Sequence, residues 1–232
     1  MFMNYAHPLQ PVLWLWIPLL FLSAQIIIEI GLPSFMLQNI HSENGPHETL
    51  QVMALLAAFI MALMALQDVR WCTQAWLGVW LTLAAVCCVY VAGEEISWGQ
   101  HLFEWVTPEY WMAVNDQNET NLHNLSSWFD QKPRLLLEVG VICGGLIIPL
   151  FLKFYPRALP QKLMVIYPPF CLIVVALIAI IPKYIDKAAR VFDIILFERV
   201  SELQELGMYY FVMLYMLVLY QRLKALDIDE TM

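Results

Sequence analysis

The chain has 232 residues, of which 61% are hydrophobic and 14% charged. Its mean hydropathy is +0.64, and because soluble domains are about a quarter charged, this composition excludes an ordinary soluble fold. Twenty Asp+Glu against twelve Lys+Arg leave a net charge of −8, which excludes nucleic acid as the expected partner, since that binding rests on cationic neutralisation of phosphates. The length accommodates about six spans of some 20 residues and no additional soluble catalytic domain. The expected fold is therefore all-α, a polytopic membrane helix bundle with interfacial helices, and any chemistry sits in or beside the bilayer.

In chain order, the first apolar run covers residues 11–32 and is closed by Pro33. No Lys or Arg precedes it, so it lacks the basic start of a cleaved signal and is expected to remain in the mature protein. A loop rich in turn residues leads to a second, shorter span at 50–66, and QDVRWCTQ turns the chain into a third at 75–92. The apolar signal stops at GEEISWGQHLFEW, where Gly93 is the only obvious breaker, so the helix is expected to continue into the polar segment. Residues 94–130 are expected to form short interfacial helices, since they mix aromatic side chains with Asn and turn residues. The fourth span is placed at 135–154, beginning beside Pro133, and the fifth at 163–182, bent by Pro168 and Pro169. From 183 to 206 charged and apolar residues alternate at helical spacing, which predicts an amphipathic surface helix leading into a sixth span at 208–220. Five cysteines, with no CxxC spacing and mostly within apolar runs, read as small core residues.

With six spans, sixteen of the twenty acidic residues fall on the side of the odd-numbered loops, while Lys and Arg divide six and six. Basic residues close to span ends, Arg70, Lys153, Arg157, Lys162, Arg222 and Lys224, place both termini in the cytoplasm, as for a bacterial inner-membrane protein. The acidic side then faces outward.

Ionisable side chains near a bilayer are costly and are expected to line a protein interior or a wet cavity. Three clusters qualify. In GEEISWGQH, a continuous helix puts Glu94, Ser97 and His101 on one face, with Glu95 on the neighbouring face. In NETNLHN, Glu119 and His123 stand at i and i+4. In FERVSELQEL, Glu198, Glu202 and Glu205 share a stripe.

Carboxylates and imidazoles brought together from different helices suit a divalent metal ion, with His101, Glu119, His123, Glu202 and Glu205 as candidate ligands. Glu94, Glu95 and Ser97 are the candidate catalytic groups. A hydrogen-bonded structural cluster and a proton relay explain the same residues. Elsewhere, Trp98, Trp105, Trp111 and Trp128 read as an interfacial belt, His7, His41 and His47 as solvated, and Glu29 and Glu138 as supporting or capping groups.

The strings GEEISWGQ and ETNLHN together resemble the core of a group of bacterial multi-pass membrane proteins, a likeness covering residues 93–124 that implies no particular reaction. More distantly, the chain is similar to the alkaline ceramidase-like superfamily of membrane hydrolases, in which Ser, acidic and His residues surround zinc. That resemblance implies such parts for Glu94, Ser97 and His123. The chain departs from the superfamily in having no HxxxH pair and six expected spans rather than seven.

The resulting expectation is a membrane enzyme acting on a lipid or lipid-linked substrate, with a divalent ion activating water or polarising a phosphoryl or acyl oxygen and one Glu as general base. The alternatives are an ion- or proton-coupled transporter and a structural subunit of a membrane complex.

Overall fold

The computed structural model describes residues 9–33, 36–37, 45–69, 71–115, 119–122, 125 and 127–231. Among them there is no strand, and the architecture is an all-α bundle. Helix α1 opens with a π-helical turn, Val12–Trp16, and continues as Ile17–Gly31. Then come α2, Pro46–Gln67, and α3, Trp71–Glu95, which are followed by two short helices, α4 (Gln100–Phe103) and α5 (Glu109–Val114). Helix α6 starts at Ser127, passes through a π-helical segment at Ile142–Ile147 and ends at Phe154. Helices α7, Leu172–Arg190, and α8, Val200–Thr231, complete the chain.

Five segments are long and apolar enough to cross a membrane: Val12–Gly31, Pro46–Gln67, Gln74–Glu95, Gln131–Phe154 and Val200–Leu226. Helix α7 does not qualify by composition, because Lys183, Asp186, Lys187 and Arg190 occupy its last turns. It nevertheless runs through the bundle in the opposite direction to α6. The N-terminal parts of α6 and α8 meet where Arg134 pairs with Glu205, so the chain leaving α6 at Phe154 must return across the bundle before α8 can begin.

The other directions follow from hydrogen bonds at the same end. Glu29, near the end of α1, accepts from the Glu198 amide at 3.3 Å, and Gln51, near the start of α2, donates to the Glu202 carbonyl at 3.2 Å. Tyr209 of α8 donates to Glu95, the last residue of α3, at 2.8 Å. The six long helices therefore alternate in direction and gather Glu29, Glu48, Glu95, Glu202 and Glu205 at one end, here termed the carboxylate end.

Helix α8 is the central column. Two thirds of its spanning window (67%) is buried, against 11–33% for the other four, because α2 packs along one side of it and α7 along the other. It is also the least apolar of the five spans, as expected where polar side chains turn away from lipid and into protein. Small residues set the close approaches. A Cβ on Gly207 would lie 2.8 Å from the Ala179 Cα of α7, and one on Gly145 would lie 2.6 Å from the Ala176 Cβ, the small-residue contact that lets membrane helices touch backbone to backbone.

Two expected elements are corrected. The span placed at 163–182 begins instead at Leu172, because 161–166 is a 3-10 turn and Pro168 and Pro169 interrupt the helix before it. The amphipathic helix placed at 183–206 is two helix ends around a break at 191–199. There Asp186, buried, takes the Arg190 guanidinium at 2.6 Å and the Leu196 and Phe197 amides at 3.1 Å, tying the chain into a turn in place of helical hydrogen bonds.

Candidate functional site

The polar strings that stand out in the sequence fold into one unit at the carboxylate end. Helix α3 stops at Glu95, and Ser97, Trp98 and Gly99 take positive φ values of 48°, 56° and 90°. For Ser97 and Trp98 this left-handed backbone costs on the order of 1–3 kcal/mol each and persists only where its surroundings fix it. Here Trp98 folds back over α3, its Nε1 donating to Glu94 Oε1 at 2.8 Å, with its ring seated so closely that a Cβ on Gly93 would meet Cε3 at 2.8 Å. Gly93 is thus the seat of that ring and not a helix breaker. The expected helical face carrying Glu94, Ser97 and His101 does not form, because the reversal at 97–99 intervenes. His101 lies within α4, and its side chain falls outside the described residues.

The second string docks against this reversal. The Leu122 amide donates to Glu94 Oε2 at 2.6 Å, and Ser97 Oγ donates to Glu119 Oε2 at 2.6 Å. Asn121 Nδ2 bridges Ser97 Oγ (2.9 Å) and Glu119 Oε2 (2.8 Å), and Asn115 in turn holds the Asn121 side chain at 3.0 Å. Gln100 Oε1 accepts from both the amide and hydroxyl of Thr120, at 2.8 and 2.9 Å. Glu94, Ser97, Asn115, Glu119 and Asn121 are all buried. Residues 119–122 are not helical, so the Glu119/His123 spacing does not describe a helix face; His123 itself lies outside the described residues.

Beside this unit lies a cavity of about 460 Å³ between α3 and α6, backed by α8. Its walls are apolar, including Leu83, Ala84, Val91, Leu136, Leu137 and Val212, and its polar residues collect at one end. Glu94 and Glu95 are the last lining residues of α3, Arg134 is next to the first of α6, and Glu205 is the first of α8. Since α3 runs opposite to α6 and α8, all four belong to the carboxylate end. From Trp80 to Glu95 the lining follows α3 for about 22 Å at the helical rise, somewhat more than one leaflet of hydrocarbon, about 15 Å.

At the polar end Glu205 is paired with Arg134, and Glu95 accepts from Tyr209. The charges of Glu48, Glu202 and Arg134 also act on Glu95. Behind them Gln51, fully buried, donates to the Glu202 carboxylate at 3.3 Å.

The expected site residues thus divide. Glu94, Glu95 and Glu205 line the cavity, with Glu202 behind it, whereas Ser97 and Glu119 are sealed within the loop unit. Glu94 belongs to both. Glu198 lies before α8 and leaves the expected stripe, its amide bonding Glu29. His47, read as solvated, meets Gln25 Oε1 at 2.9 Å. Among the described residues, which do not include the His101 side chain or His123, no three His, Cys, Asp or Glu assemble as ligands for a divalent ion. Glu119 and Glu205 already hold protein donors.

Arg134, Tyr209 and Gln51 escape a search for carboxylates and imidazoles. Arg134 stands in the sequence with Lys132 at the opening of an apolar span, whereas Tyr209 and Gln51 carry no signal beyond being polar within apolar runs. Comparison with protein-family models, with curated proteins and with solved structures finds no match to this chain.

Proposed function

We propose that the protein is an integral-membrane enzyme that takes the apolar part of a lipid or lipid-linked substrate into the cavity between α3 and α6. The carrying observation is the cavity itself, about 460 Å³ with apolar walls and Glu94, Glu95, Arg134 and Glu205 at one end. Its size is that of small-molecule sites, which join an apolar lining to a few convergent polar groups. Glu95 is the candidate general base, because it borders the cavity and its orientation is held by Tyr209. Ser97 and Glu119 act through the loop unit that positions Glu94.

A divalent ion in this function would be held by His101 and His123 together with carboxylates such as Glu202 and Glu205, and metal analysis of the purified protein tests that part. The transporter alternative requires a polar route onward through the bundle. Between α2, α3 and α8 the packing away from the carboxylate end is instead apolar, built on Ala58, Ala62, Leu77, Leu81, Leu219 and Leu223, all buried.

The test uses Gly140, which borders the cavity and whose added Cβ would meet no atom within 4 Å. Gly140→Leu is expected to preserve folding and abolish retention of native lipid, read by native mass spectrometry of the protein released from detergent. Equal lipid retention by this variant and the unaltered chain would end the proposal.

A further inference from the structure

The polar end of the cavity has a marked imbalance of hydrogen-bonding character. Glu94, Glu95 and Glu205 line it against one guanidinium, Arg134, which Glu205 already engages. Glu48 and Glu202 also act on Glu95, Glu202 with the Arg199 guanidinium 4.0 Å away. The donors present are already committed: Trp98 Nε1 and the Leu122 amide to Glu94, Tyr209 to Glu95, and the Gln51 amide nitrogen to Glu202. Gln51 Oε1, although fully buried, has no donor among the described residues. Acceptors and negative charge therefore exceed donors and positive charge where a substrate head would sit.

A phosphate or carboxylate head would meet carboxylates across most of this surface and add acceptors to a site already rich in them. An alkylammonium has the opposite character, a compact charge with three donors and no acceptor. The apolar walls below take a chain, and their depth along α3 of about 22 Å suits one that is extended.

Resting on the proposal that this cavity binds an amphiphilic substrate, we infer that the substrate head is a primary ammonium: the cavity takes a single-chain amine-bearing amphiphile in preference to an anionic one. The carboxylates receive the ammonium, and Arg134 keeps Glu205 turned toward the same end.

The test titrates the purified full-length chain, in a neutral detergent, with dodecylammonium, dodecyl phosphate and dodecanol, reading binding by native mass spectrometry and by the fluorescence of cavity-lining Trp80. Dodecylammonium is expected to bind at least about tenfold more tightly than dodecyl phosphate, as charge complementarity at a desolvated site requires. Glu95→Gln should narrow that ratio, and Gly140→Leu should remove binding of all three probes.

Dodecyl phosphate binding as well as or better than dodecylammonium to the unaltered chain would overturn the ammonium assignment while leaving the cavity proposal intact. Binding of every probe unaffected by Gly140→Leu would overturn the cavity proposal itself. The comparison of probes on the unaltered chain remains decisive even if Glu95→Gln fails to fold.

Discussion

Trp98 shows how one side chain can override the local pattern. The ring returns to Gly93 and its Nε1 satisfies Glu94, so an indole placed on the preceding turn supports left-handed backbone at Ser97 and Trp98, where side chains disfavour it, ahead of Gly99, where it costs little. Gly93→Ala would push a Cβ to within 2.8 Å of that ring. It is expected to destabilise the protein by about 1–3 kcal/mol and to shift tryptophan emission, measured by fluorescence-detected unfolding in detergent. Unchanged emission and melting would contradict this geometry.

A second residue-scale test concerns Asp186, whose side chain is 2% exposed beside Arg190. Arg190→Met is expected to destabilise the protein by less than the about 3–5 kcal/mol of a fully buried pair, because Arg190 is half exposed and Asp186 keeps the Leu196 and Phe197 amides. Asp186→Asn/Arg190→Met should recover part of the loss in the same melting assay.

At the scale of elements, the glycines separate helix contact from open space. Gly207 lets α8 meet the α7 backbone at Ala179, whereas Gly140 on α6 faces no neighbouring atom. Gly207→Ala is expected to lower the melting temperature by forcing α7 and α8 apart. Gly140→Ala should leave it unchanged or raise it, since alanine in a helix is favoured over glycine by about 0.5–1 kcal/mol. A thermal shift in the same direction for both variants would refute this distinction.

For the whole molecule, six long helices of alternating direction return the last helix to the end from which the first began. Reporter fusions at the two chain ends are expected to report the same side of the membrane, and an accessibility tag inserted at Val106, which is 86% exposed beyond the end of α3, the opposite side. Opposite sidedness of the two ends would remove α7 as a crossing. The pairing of Lys183 with Glu138 at 2.6 Å explains how a helix with several charges takes this position, since ionisable groups in spans are tolerated when partnered.

The sequence by itself determined the membrane location, the all-helical class and the spans rich in apolar residues, because a bilayer imposes its length and hydrophobicity on each segment separately. It also marked the two polar strings around Glu94 and Glu119, since acids beside apolar runs are costly. Only the tertiary structure decided that those strings form one buried loop unit, that Ser97 is sealed within it, and that Glu95 and Glu205 border a cavity with Arg134. Those relations depend on contacts between residues such as Glu95 and Tyr209, 114 positions apart. Helical spacing carries information only within a continuous helix; where the backbone reverses, as at 97–99, the packing of Trp98 on Gly93 determines which side chains meet.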